Sequence, residues 1–272
     1  MIAIKHVKPS PITVRVRPVA LPVEHGGWGL LFEPIILGLL LGPSVSGLSF
    51  ALAALAAFLT RHPFRLAVGD RRRERITART ALAERFVILY AGTSLLFFVG
   101  ALKVVHGDFL LPLLLAAPLV LLQLTYDSMG RSRALLPELA GSSATGALAT
   151  AIVLAAGWRY AAAFGLWGIL AARSVPTILY LRARLRLLHR KPASPRSVII
   201  AHLVAIIGVL GLSGAGLAPL LAVAAMVILF LRAAIGLSIP QKSATAKKLG
   251  LLEVGFGAMT VFAVIVGHAI GW

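Results

Sequence analysis

The amino-acid sequence predicts an all-α fold: a polytopic membrane helix bundle with about nine transmembrane helices. Three observations carry that expectation. Hydrophobic residues make up 59% of the 272 positions and charged residues 13%, whereas a soluble domain is about a quarter charged because its surface faces water. Apolar runs of the roughly 20 residues that a crossing helix needs recur along the chain, which has a mean hydropathy of +0.92. The charge is lopsided, 27 Lys and Arg against 9 Asp and Glu, and nearly all of the cations fall between those runs.

Residues 1–22 read as a basic cytoplasmic arm that precedes a transmembrane domain at 23–272. They carry Lys5, Lys8, Arg15 and Arg17 but no apolar run as long as a secretory signal requires. Pro9, Pro11, Pro18 and Pro22 fix φ and each removes a donor, which opposes a continuous helix. The crossing segments are then expected at 27–42, 44–62, 85–105, 109–126, 137–156, 159–181, 197–213, 217–236 and 250–270. Gly42-Pro43-Ser44 and Gly157-Trp158 supply the two shortest breaks.

The basic residues test this count independently. With the N-terminus inside and nine alternating spans, 23 Lys and Arg lie on the cytoplasmic side and only Lys103 and Arg159 on the other. Arg173 and Arg232 fall within spans. Such a bias is what the positive-inside rule expects, and it leaves the C-terminus outside. Membrane lipids are the implied partners. Nucleic acid is not, because the cations are spread over loops and not gathered in one domain.

Several chemistries are excluded. The chain has no cysteine, so thiolate, disulfide and iron–sulfur chemistry is absent. Its seven histidines include no pair at i,i+3 or i,i+4, so no transition-metal site is expected. No phosphate-binding loop, dinucleotide fingerprint or nucleophile elbow occurs.

Ionisable groups inside spans are costly and usually face a cavity or a partner. His25-Gly26-Gly27-Trp28-Gly29 leads into Glu33-Pro34 in the first span. Glu33 is either a cavity carboxylate that binds substrate or exchanges a proton, or the partner of a buried arginine such as Arg173, or a headgroup-level residue at the helix start. Arg173 lies three residues before Pro176, whose ring frees nearby carbonyls. It either lines an anion pocket or neutralises Glu33 or Glu138. Arg182 and Arg186 stand one helical turn apart, where like charges repel unless an anion joins them. The alternative there is topological: the arginines hold the loop in the cytoplasm at the lipid headgroups.

Nine spans with polar loops after the second, fourth and sixth resemble the UbiA superfamily of intramembrane prenyltransferases. The stretch Tyr126-Asp127-Ser128-Met129-Gly130-Arg131-Ser132-Arg133 through Leu136-Pro137-Glu138 to Gly141 is similar to the fourth-loop segment of that superfamily. More narrowly, the chain resembles the YwiC-like family of bacterial membrane proteins over about residues 20–271. The residues that carry this are the first-span motif with Glu33-Pro34, Arg61-His62-Pro63 with Asp70, Tyr126-Asp127, and Val175-Pro176 followed by Tyr180-Leu181-Arg182. The resemblance implies a bacterial inner membrane location and a cavity facing the cytoplasm.

The departures from the UbiA pattern are chemical. Members of that superfamily carry Asn-Asp-x-x-Asp-x-x-x-Asp after the second span and another Asp-rich motif after the sixth, and these carboxylates hold Mg²⁺ and, through it, a prenyl diphosphate. Here the first position offers Arg61, His62, Arg65 and a lone Asp70, and the second offers Arg182, Arg184 and Arg186. Mg²⁺ is therefore disfavoured and no metal ligand is assigned. The expected ligand is an anionic amphiphile, isoprenoid or acyl, gripped by guanidinium groups. Glu33, Asp70 and Asp127 are the candidate catalytic carboxylates. His25, Trp28, Arg61, His62, Arg65, Arg131, Arg173, Tyr180, Arg182 and Arg186 are the candidate binding residues. A transporter or lipid-handling protein without transferase activity is the alternative, with Glu33 and Arg173 along its route.

Overall fold

The computed structural model describes residues 15–22, 25–105, 109–238 and 246–271. Ten helices occur among them: α1 Arg17–Ala20, α2 His25–Leu41, α3 Val45–Arg72, α4 Ala78–Val104, α5 Leu110–Ser128, α6 Leu135–Ala155, α7 Tyr160–Leu188, α8 Arg196–Gly214, α9 Leu220–Ser238 and α10 Ala246–Ile270. Eight of them, α3 to α10, are long and apolar enough to cross a membrane, and Gly27–Leu41 within α2 is apolar but shorter. The chain is an integral, multi-pass membrane protein. Lys5, Lys8 and Lys242 lie outside the described residues.

The apolar runs locate the spans, but three helices outrun them. The 28 residues of α3 and the 29 of α7 extend well past residues 62 and 181, and α4 begins at Ala78, not at residue 85. At 1.5 Å per residue, α3 and α7 are each about 42 Å long, beyond the roughly 30 Å of hydrocarbon. Hydropathy marks where lipid ends. The helix stops where its caps are. Arg61, Arg65, Arg71, Arg72, Arg79 and Arg85 thus stand on helices and not in a long loop, which reduces to residues 73–77.

The caps are legible locally. Ser44 accepts from the amide of Gly47 at 3.0 Å at the start of α3, and Thr77 and Thr80 form a capping box at the start of α4. At the far end of α3, Arg75 N–H donates to Asp70 O at 3.0 Å and Glu74 N–H to Arg71 O at 3.1 Å, the Schellman pattern. Its left-handed position is Glu74, with φ 54°, and Arg190 fills the same place after α7 with φ 55°. Both tolerate this strained conformation at the rim, where no glycine is present.

Packing puts α6 and α7 at the centre. α6 runs against α2, α3, α5 and α7; α10 closes on α2 and α9; α4 lies outside along α3. Leu37, Val153, Leu166, Ile169, Val209, Met226, Leu229 and Val264 form the larger core, and Phe50, Phe109 and Ile152 anchor a second one between α2, α3, α4, α6 and the start of α5. Without a hydrophobic drive between helices in lipid, close approach depends on small residues. Gly38 faces Ala149 and Ile152, and Gly42 faces Val153 and Ala156. Thr150 also donates to the Ala163 carbonyl at 3.1 Å, and Trp167 to the Ser143 carbonyl at 2.7 Å. The end of the N-terminal arm docks too: Val19 and Ala20 are buried, and the His62 ring lies 3.0 Å from the Pro18 carbonyl.

Candidate functional site: a basic pocket and a buried charge cluster

Two charged constellations stand out, and both lie toward the end of the bundle that carries the basic residues. The first is where α3 ends, α4 begins and α5 ends. Arg61 reaches across from α3 to Asp127 on α5 in a two-bond pair, with Nη2 donating to Oδ1 at 3.0 Å. The Asp127 side chain is fully buried. Nine residues along from Arg61, Asp70 is gripped by both edge nitrogens of Arg79 and accepts from Thr80 Oγ1 at 3.0 Å. Between these pairs lies an open pocket of about 380 Å³, whose polar lining includes His62, Arg65, Arg72, Arg73, Arg79, Asp70 and Asp127.

The structure therefore brings His62, Arg65, Asp70 and Asp127 into one pocket, with Arg61 behind Asp127 and exposed Arg131 in the neighbouring turn. Pro63 lies within α3, and the 3.6-residue repeat places Arg61, Arg65 and Arg72 on turns that approach α4 and α5. The carboxylates do not sit as metal ligands. Each has a guanidinium across both of its oxygens, and among the described residues no three His, Asp or Glu side chains gather to hold an ion. That donor set does not fit a Mg²⁺ pair.

Arg182 and Arg186 do not line this pocket. Arg182 donates to Glu138 Oε2 at 2.8 Å and to the Arg133 carbonyl at 3.0 Å, tying α7 to the start of α6. Arg186 donates to the Pro192 carbonyl at 2.9 Å, which closes the turn after its own helix. Their mutual repulsion is relieved by separate partners and not by one shared anion. Trp28 is also elsewhere: its ring lies 5.1 Å from Phe58 and 5.8 Å from Phe32. His25 opens α2, and its side chain lies outside the described residues.

The second constellation is inside the bundle. Arg173 on α7, only 1% exposed, donates through Nη2 to Glu33 Oε1 on α2 at 3.0 Å and to the Glu253 carbonyl on α10 at 2.9 Å. Its Nη1 donates to Thr177 Oγ1 at 2.9 Å and lies 3.8 Å from Glu253 Oε2. Glu253 in turn accepts from Arg232 on α9. The Arg232 guanidinium packs against two rings, 4.4 Å from the Tyr180 centroid and 4.9 Å from the Phe256 centroid. Two carboxylates and two guanidinium groups thus connect four helices, and Glu33 and Arg173 are each other's partners.

Arg232 and Glu253 are the members that sequence reasoning missed. Arg232 gave a signal, as a cation within an apolar run. Glu253 sits only a few residues from the start of its run and so resembles a headgroup-level residue. Glycine makes the cluster fit: a Cβ at Gly257 would land on the Glu33 carboxylate. Gly257→Ala is expected to destabilise the protein by about 1–3 kcal/mol through overpacking. Thermal unfolding in detergent measures this, and an unchanged midpoint would contradict the close α2–α10 contact.

Comparison with known proteins places part of the chain. Residues 21–153 match a family model described as YwiC-like protein, whereas no curated protein and no solved structure matches the chain. The matched stretch holds Glu33, Arg61 and every residue that lines the basic pocket, while Arg173, Arg232 and Glu253 lie beyond it. Over that stretch the chain is similar to the YwiC-like family.

Proposed function

We propose that the protein binds the anionic head of an isoprenoid or acyl amphiphile in the pocket between the ends of α3, α4 and α5. The observation that carries this reading is the lining: four arginines and a histidine surround two carboxylates that are already neutralised by guanidinium groups. A phosphate or carboxylate there meets positive charge and N–H donors without a metal. Asp70 and Asp127 act in this reading as positioning residues that orient Arg79 and Arg61, and Arg65 and Arg73 contact the head. The basic end faces the cytoplasm of a bacterial inner membrane, N-terminus inside and C-terminus outside, so the head comes from the inner leaflet. The distant resemblance to UbiA prenyltransferases then extends to the ligand class, with arginines in place of magnesium.

The test is binding of geranylgeranyl diphosphate to the protein in nanodiscs. A charge-assisted hydrogen bond contributes about 1.5–3 kcal/mol, so Arg65→Ala with Arg73→Ala is expected to weaken binding at least tenfold. Binding is expected to survive EDTA. Equal affinity in the double variant, or affinity that needs Mg²⁺, would remove the proposal.

A second reading is favoured by the buried cluster, since charged side chains within spans mark transport routes. A transporter or lipid-handling protein would show flux in sealed liposomes that Glu33→Gln abolishes. Flux unaffected by that change would count against this reading.

A further inference from the structure

Three arginines in this protein can be compared edge by edge. A guanidinium grips an oxyanion best with Nε and one Nη side by side, a fork that matches two oxygens. Arg61 presents that edge to Asp127, and Arg79 presents it to Asp70. Arg232 does not present it to Glu253, which is held by Nη1 alone. Its Nε and Nη2 are buried and have no acceptor among the described residues.

This is unusual, because a buried N–H of a cation is nearly always paired. The arginine is not free to turn away. Tyr180 and Phe256 both pack against the guanidinium and Glu253 holds one corner, which restrains the open edge. Gly236 on the same helix as Arg232 leaves room for the Tyr180 hydroxyl, since a Cβ there would strike it. Buried Arg184 stands one turn beyond Tyr180 on α7. Arg232 lies six residues from the end of α9, which at 1.5 Å per residue puts it about 9 Å below the basic end of the bundle. That depth suits the head of an amphiphile drawn in from the headgroup layer.

We propose that the Nε/Nη2 edge of Arg232 is a second site, which takes an oxyanion, a carboxylate or phosphate group, between α7, α9 and α10. The site is independent of the pocket at the ends of α3, α4 and α5, and its occupant is selected by two-oxygen geometry and not by net charge alone.

Oleate, methyl oleate and inorganic phosphate serve as probes with the full-length protein in detergent. Oleate is expected to bind and methyl oleate to bind at least tenfold more weakly, because the neutral ester has no pair of charged oxygens to meet the fork. Arg232→Lys keeps the charge and can keep the Glu253 pair but has no fork, and it is expected to lose oleate binding at least tenfold. The Arg65→Ala/Arg73→Ala variant is expected to keep it, which separates this site from the pocket. Competition by phosphate alone assigns the site to a small anion, and its absence assigns it to an amphiphile. If Arg232→Lys does not fold, ¹⁵N-arginine spectra of the wild type decide, since oleate should move a buried Nε–H resonance. An unmoved spectrum, equal binding of the methyl ester, or full retention of oleate binding by Arg232→Lys would overturn the site.

Discussion

Replacing Arg173 with methionine is expected to destabilise the bundle by about 3–5 kcal/mol, the largest single effect foreseen for this chain. The cause is not the loss of an attractive pair as such. A buried ion pair is often no better than a hydrophobic replacement of both partners, but removing one partner strands the other. Here Arg173→Met leaves Glu33 and Glu253 facing the single guanidinium of Arg232, and it also strips the Glu253 carbonyl and Thr177 hydroxyl of their partner. Adding Glu33→Gln restores one charge of each sign, so the double variant is expected to recover much of the loss. Unfolding by SDS titration or by heat in mild detergent measures both. Additive losses in the double variant would show that Glu33 and Arg173 do not depend on each other.

Arg61→Met is expected to cost about 2 kcal/mol or more by the same mechanism at the edge of the bundle. Asp127 is fully buried beneath it, whereas the Arg61 side chain is 26% exposed, so solvent screening reduces the effect relative to Arg173. Asp127→Asn should cost less, because the amide still accepts one hydrogen bond and Arg61 can reach water. That asymmetry separates a stranded carboxylate from a simple loss of packing. If the two variants unfold at the same midpoint, the buried charge of Asp127 is not what Arg61 serves.

How much of this was legible in the sequence differs by residue. Hydropathy depends only on composition in a window, so it located the spans. It could not place their ends: residues 63–72 and 182–188 are too charged for lipid, yet the helices run on through them, past Pro63 and Gly69 in the first case. The pocket was half visible. Arg61, His62, Arg65, Asp70 and Asp127 were singled out by residue type, but their meeting depends on the end of α5 packing where α3 passes into α4. Arg182 and Arg186, equally prominent in sequence, are held by Glu138 and by a local carbonyl.

The sequence alone determined a multi-pass bundle of apolar helices, because exclusion of charge from lipid acts residue by residue. Only the tertiary structure decided which charge neutralises which. Glu33 and Arg173 are 140 positions apart, and Glu253 enters their pair from the last helix. Such pairings depend on which faces of α2, α7, α9 and α10 turn inward, and small residues such as Gly236 and Gly257 set that by letting backbones approach where any side chain would collide.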